Sequence, residues 1–203
     1  MKVQDYERLL RIKTTGMRSG LKKSAHHHRY EATPYSALDE LFFEYDLKKS
    51  DVVVDFGCGK GRVPFYIHSR FQTLVKGVEM SEELHQKALK NKANYRQRVK
   101  RAKGSIRFKN KLAENYKVKP EDNRFYFFNP FSIENFRKVV NNILLSVEEE
   151  KRTVDIILYY PTIEYIRFLE RSTPFKVVKE IRVPKKYEKD NHKRFLIYRY
   201  KAE

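Results

Sequence analysis

Two rhythms of apolar and polar positions run along this chain. Short β-branched or aromatic runs predict strands over 51–56 ("DVVVDF"), 73–79 ("TLVKGVE"), 105–108 ("SIRF"), 124–130 ("RFYFFNP") and 153–161 ("TVDIILYYP"). Between them, apolar residues at helical spacing predict helices over 61–71, 81–102, 132–150 and 162–172, with a short helical turn near 112–116. Pro64 falls in the first turn of its helix, where the missing N–H costs little. Ser81 opens the next helix, with Glu82 and Glu83 at its positive end. The last two strands, 175–183 and 193–200, have no helix between them. The polar "PKKYEKDNH" that joins them is too short for a parallel crossover, so they pair antiparallel. The pattern predicts an α/β, doubly wound sheet, mostly parallel, with one antiparallel strand near the C-terminus.

Residues 1–50 read differently. "RLLRIKTTGMRSGLKKSAHHHRY" is basic and irregular, one helix and then a loop. "TPYSALDELFFEYDL" (33–47) is an amphipathic helix with Thr33 as its cap and Pro34 at its first position. The chain therefore divides into a helical, basic extension over 1–50, packing on the sheet's ligand edge, and a ligand-binding domain over 51–203. Internal repeats and low-complexity tracts are absent from the sequence.

Charge changes the picture most. Forty-four Lys and Arg against 26 Asp and Glu give a net charge of +18, which points to a polyanionic partner, RNA or DNA. The run "KALKNKANYRQRVKRAK" would track a phosphate backbone, although a solvated helix face explains it too. One cysteine excludes an internal disulfide and fits a reducing compartment. The opening "MKVQDYERLLRIK" mixes acids and bases and is no signal peptide, and no stretch approaches about twenty apolar residues. The expected location is cytoplasmic. Adjacent His26, His27 and His28 cannot all face one ion, so they read as a solvated loop touching substrate or phosphate, and no metal is expected.

The chemistry concentrates in "VVVDFGCGKGR". Glycine at every second position lets a ligand approach the main chain, and the following helix points unpaired N–H groups at it. The G57-x-G59-x-G61 spacing is one residue shorter than the G-x-G-x-x-G of dinucleotide turns. Asp55, directly upstream, would repel a pyrophosphate and suits a cation, such as the sulfonium and ammonium of S-adenosylmethionine. Glu79 ends the second strand, where an acid bridges ribose hydroxyls.

These residues resemble the class I (Rossmann-like) S-adenosylmethionine-dependent methyltransferases over about residues 30–200. "VVVDFGCGKGR" looks like their first motif, "GVE" like their second and "FFNPF" like their catalytic motif, while "RYEATPYSALDEL" resembles a Y-x-P-T-P segment that closes over the cofactor in some lysine methyltransferases. The resemblance implies cofactor contacts from Asp55, Gly57, Cys58, Gly59, Gly61 and Arg62, from Glu79 and Met80, from Thr33 and Tyr35 near the lid, and from Asn129. The family often has an acid after strand three for the adenine amino group; here Leu112 and Ala113 stand at that position, with Glu114 and Asn110 nearby.

Asn129, Pro130 and Phe131 resemble the N-P-P-F of amino-group nucleic acid methyltransferases, short of one proline. Asn129 would accept hydrogen bonds from a target amine, and Phe131 would stack on a base or hold a methylammonium. The plain alternative is a strand-ending Asn-Pro turn with a core Phe. Cys58 could serve as a nucleophile only near strand four, so it reads as a small filler. The expected function is methylation of a nucleic acid base nitrogen. The alternatives are a protein amine methyltransferase and a non-catalytic nucleic-acid-binding protein on the same fold.

Overall fold

The computed structural model of the chain describes residues 2–16, 31–98 and 105–202. Its strands are β1 (Val52–Phe56), β2 (Leu74–Glu79), β3 (Ile106–Asn110), β4 (Arg124–Phe127), β5 (Val154–Tyr159), β6 (Lys176–Arg182) and β7 (Arg194–Tyr200). They form one sheet in the order β3-β2-β1-β4-β5-β7-β6. Neighbours from β3 through β5 pair parallel, and β7 runs antiparallel to both β5 and β6. This is the doubly wound sheet with one reversed strand that the pattern predicts. Chain order reverses direction between β1 and β4, which opens a crevice at the carboxyl ends of those strands.

Every residue of β1 is buried, because helices cover both faces of the sheet. On one face lie α1 (Val3–Leu10), α2 (Tyr35–Glu44), α3 (Arg62–Phe71) and α4 (Glu82–Arg98). Their Leu38, Leu41, Phe65 and Tyr95 pack with Val53, Val75, Ile157 and Ile197. The other face carries α5 (Ile133–Glu149) and α6 (Ile163–Ser172), whose Phe136, Val140, Ile143 and Leu169 pack with Val54, Phe125, Phe127 and Ile156. The N-terminal Leu10 and Ile12 belong to the same core as the sheet residues of the first face.

The structure shifts several predicted boundaries. β4 stops at Phe127 rather than 130, because Asn129 turns left-handed at φ +39° and Pro130 has no N–H for the ladder. β5 stops at Tyr159 for the same reason, with Tyr160 at φ +54° before Pro161. α2 begins at Tyr35 with Pro34 at its cap position. Thr33 does not cap it: its hydroxyl is paired with the buried Tyr126 hydroxyl at 2.8 Å. The predicted end of the 81–102 helix lies outside the described residues, as do His26, His27 and His28.

Candidate active site

The glycine turn joins β1 to α3 and folds back on β2. The N–H groups of Gly57 and Cys58 both donate to the Val78 carbonyl, at 2.9 and 3.1 Å. Gly57 sits at φ +76°, and a Cβ there would stand 2.6 Å from the Pro130 Cβ. Gly61, at φ +89°, would drive a Cβ within 2.7 Å of Phe108 and 2.8 Å of Phe65. Both positions need the left-handed backbone and the missing side chain together. A third close approach escaped the sequence reading: at Gly77 a Cβ would meet the Cys58 Sγ and Phe108 Cδ1 at 2.7 Å each. Cys58 therefore fills the space over β2. Burial, and then Asp55 and Glu79, push its thiol well above the usual range, which keeps it protonated and unreactive.

Two acids line the mouth of this turn. Asp55 is 3% exposed, and among the described residues no hydrogen bond reaches its carboxylate. Burial, and then the neighbouring Glu79, push it well above the usual aspartate range. Glu79 is held more firmly, accepting the Gly59 N–H on Oε2 at 2.9 Å and the Ser81 N–H on Oε1 at 2.8 Å. Burial raises its pKa, and those N–H groups only partly offset the rise. Two buried carboxyl groups with no cation paired to them among the described residues form a site that a positively charged ligand would stabilise. The donor set thus fits S-adenosylmethionine, whose sulfonium and ammonium would offset Asp55 and whose ribose would find Glu79. Met80 and Leu112 stand exposed beyond Glu79, with Ala113 buried beside them. The Asn110 amide ties this rim together, donating to the carbonyls of Glu79 and Met80 at 3.0 and 3.2 Å.

Across the crevice, the end of β4 presents Asn129, half-buried at its left-handed turn, with Pro130 against the glycine turn. Phe131 departs from expectation. It is 5% exposed, its ring packs edge-on against Phe127 at 6.2 Å, and its carbonyl accepts the Tyr165 hydroxyl. Past the left-handed turn at Asn129 the ring joins the α5 and α6 core.

Arg62 also differs from the expected cofactor contact. Its guanidinium is turned onto the N-terminal residues, donating to Thr14 Oγ1 at 2.7 Å and to the Thr33 carbonyl at 3.2 Å, and lying over the Tyr35 ring at 4.6 Å. Tyr35 in turn stacks on Tyr6 at 4.3 Å and is buried. Lys60, inside the glycine run, donates to the carbonyls of Thr15 and Gly16 at 2.9 and 2.7 Å. Asn91 of α4 completes the clasp. It accepts the Lys13 N–H at 2.9 Å and donates to the carbonyls of Lys13 and Lys60 at 3.2 and 3.0 Å. Thr33, Tyr35 and Arg62 thus fasten the N-terminal layer to the glycine turn, and sequence reasoning missed Lys60 and Asn91 in that role.

Among the described residues, no group of three or more His, Cys, Asp or Glu side chains is placed to hold a metal ion. Among them, too, no helix is long and apolar enough to cross a membrane.

No family model matches the sequence, and no curated protein matches it. Solved structures do. An RNA methyltransferase from Salinibacter ruber, in complex with S-adenosyl-L-homocysteine, is 18% identical, with 85% of this chain and 94% of that one covered at a TM-score of 0.54. A candidate RNA methyltransferase from Pyrococcus horikoshii is also 18% identical, with 99% of each chain covered and a TM-score of 0.59. The cyclase SpnF is 14% identical, with 89% and 88% covered and a TM-score of 0.61. A cyclase on the same scaffold shows that chemistry must be argued from the site and not from the sheet. In strand order, reversed strand and overall superposition, this chain has the fold of the class I S-adenosylmethionine-dependent methyltransferases.

Proposed function

We propose that this chain is an S-adenosylmethionine-dependent methyltransferase acting on a nitrogen of a nucleic acid base. The observation that carries the reading is the pair of buried acids, Asp55 and Glu79, at the ends of β1 and β2, with Asn129 just past the end of the neighbouring β4 at the strand-order reversal. A fold kept without its cofactor would have no physical reason to bury, beside a glycine turn, an acid that no hydrogen bond reaches among the described residues. The cofactor, when bound, supplies an electrophilic methyl group on sulfur. Asp55 would offset positive charge in the turn, and Glu79 would take the ribose hydroxyls while keeping its N–H donors. Asn129 accepts a hydrogen bond from the target amine, which orients the nitrogen lone pair for attack. The nitrogen, once methylated, would shed a proton to solvent.

Charge supports the acceptor class. Lys92 lies on α4 near Arg96 and Arg107, and burial together with those two cations lowers its pKa. Such like-charge crowding is relieved by a phosphate backbone. Two of the structural neighbours above are described as RNA methyltransferases. A second reading, a protein amine acceptor, is favoured by one observation: the carboxylates of Glu31 and Asp190 act on Tyr159 and Tyr160 at the same edge and would attract an ammonium.

The deciding experiment offers methyl-labelled S-adenosylmethionine with cell-derived nucleic acid and protein. Label is expected in nuclease-sensitive material. Label confined to protease-sensitive material moves the acceptor to an amine. No label, with no thermal stabilisation by the cofactor, leaves a non-catalytic nucleic-acid-binding protein.

A further inference from the structure

The burial of Phe131 leaves the acceptor side of the crevice without its expected aromatic platform, and another one stands beside it. One residue past the registered pair Phe127↔Leu158, and one further still, the two parallel strands β4 and β5 end alike: Phe128-Asn129-Pro130 and Tyr159-Tyr160-Pro161. Asn129 and Tyr160 are opposite numbers in that register, and both have positive φ directly before a proline. A bulky residue in this region is a true outlier, and proline further restricts the residue before it. Strain of about 1–3 kcal/mol at each such residue persists only where the surroundings impose it.

At Tyr160 the surroundings are visible. Its hydroxyl donates to Asp190 Oδ2 at 3.0 Å, and the other Asp190 oxygen accepts the His192 backbone N–H at 3.1 Å. One carboxylate on the β6–β7 connection therefore sets two rings. Tyr160 and His192 lie face to face, with centroids 5.2 Å apart and planes 29° from parallel. Phe128 buttresses the inner side at 6.4 Å from Tyr160 and 4.8 Å from Tyr159. The stack ends at solvent, since the His192 side chain is 54% exposed.

We infer that the Tyr160–His192 pair is the stacking platform for the planar base of the acceptor, taking the place expected of Phe131. This deepens the reading given under Proposed function and rests on it for the substrate class. A base laid on the exposed His192 ring continues a stack that the protein has already ordered, one ring out from Tyr160, the register partner of Asn129. Stacking on an aromatic ring accepts any base, so the pair supplies hold and orientation, not sequence choice.

The sequence contains no tryptophan, so His192→Trp places a lone reporter at the end of the stack. Its emission is expected to be quenched saturably by adenosine 5′-monophosphate and not by ribose 5-phosphate. Phe43→Trp, at an exposed site on α2, should respond to neither. Adding Tyr160→Gly, which removes the ring and suits the positive φ, should weaken the nucleotide response about tenfold, within the range of one base–aromatic stack. Equal quenching by both phosphates, or no quenching, overturns the platform. Quenching by free N-methyllysine with none by the nucleotide overturns it in favour of an ammonium site. Calorimetry with S-adenosylhomocysteine on the same protein reports the cofactor reading separately, so a platform that fails while cofactor binds is a failure of this inference alone.

Discussion

The two sides of the crevice reach the same backbone conformation by opposite means. At the end of β1 the left-handed turns fall on glycines, which adopt positive φ without cost, and close packing by Pro130, Phe108 and Phe65 leaves no room for a Cβ. At the ends of β4 and β5 they fall on Asn129, whose short amide tolerates this region, and on Tyr160, which adopts it only under constraint. The first side is small, rigid and acidic, shaped for a ligand that meets the main chain. The second is aromatic and braced by hydrogen bonds from a distant loop, shaped for a flat ligand that meets side chains. Under the proposed function the first side would take the cofactor and the second the acceptor.

The largest effect that would sharpen this contrast is expected at Phe131. Phe131→Ala should destabilise the protein by about 3–5 kcal/mol, as loss of a core ring does, with cofactor affinity retained in the folded fraction. Chemical denaturation measures it; normal stability with a raised KM for the acceptor would return Phe131 to the crevice. Next comes Asn129→Ala, expected to lower turnover about a hundredfold, or about 2.7 kcal/mol, while cofactor affinity stays within a few fold. Full turnover would reduce Asn129 to a structural turn. On the opposite side, Glu79→Ala should weaken S-adenosylmethionine binding by about 1–3 kcal/mol, since ribose hydroxyls would lose their buried partner. Unchanged calorimetric affinity in a folded variant would remove Glu79 from that role.

The smallest expected effect is a slope. The Asp55 carboxyl titrates higher in the folded chain than its ordinary value of 3.8. Below that value both folded and unfolded chains hold the proton. As pH rises the unfolded chain releases it first, so folding stability falls through the raised folded pKa. Asp55→Asn cannot ionise, and its Tm should decline less over that interval than the parent's. Parallel Tm curves for the two proteins would mean that Asp55 is compensated in solution.

The contrast also decides what the sequence could reveal. Strands, helices and the reversed strand follow from periodicity, because burial on both faces leaves continuous apolar runs such as Val52–Phe56. The glycine turn was legible because a required glycine is a visible letter. Gly77 was not, since its constraint comes from Cys58 and Phe108 across a neighbouring strand. "LYYP" carries the same ending as "FFNP", yet the stack on His192 depends on a loop some thirty residues later (Tyr160 to Asp190 spans 30 positions). Arg62 lay in the right motif, but which way its guanidinium turns is fixed by Thr14 and the Thr33 carbonyl, 48 and 29 positions away. Chemistry held in main-chain conformation can be read in one dimension; chemistry held by long-range side-chain contacts cannot.

The clasp of Lys60, Arg62 and Asn91 on residues 13–16 has a consequence in time. Lys13 and its partner Asn91 are 78 positions apart, so at ordinary translation speeds the partner is made about 4–16 s after the residue it will hold. Residues 13–16 must therefore wait, undocked, until β1, α3 and α4 have been synthesised. A stretch made before the sheet thus settles after it, and the glycine turn acquires its cover only once the strands beneath it exist.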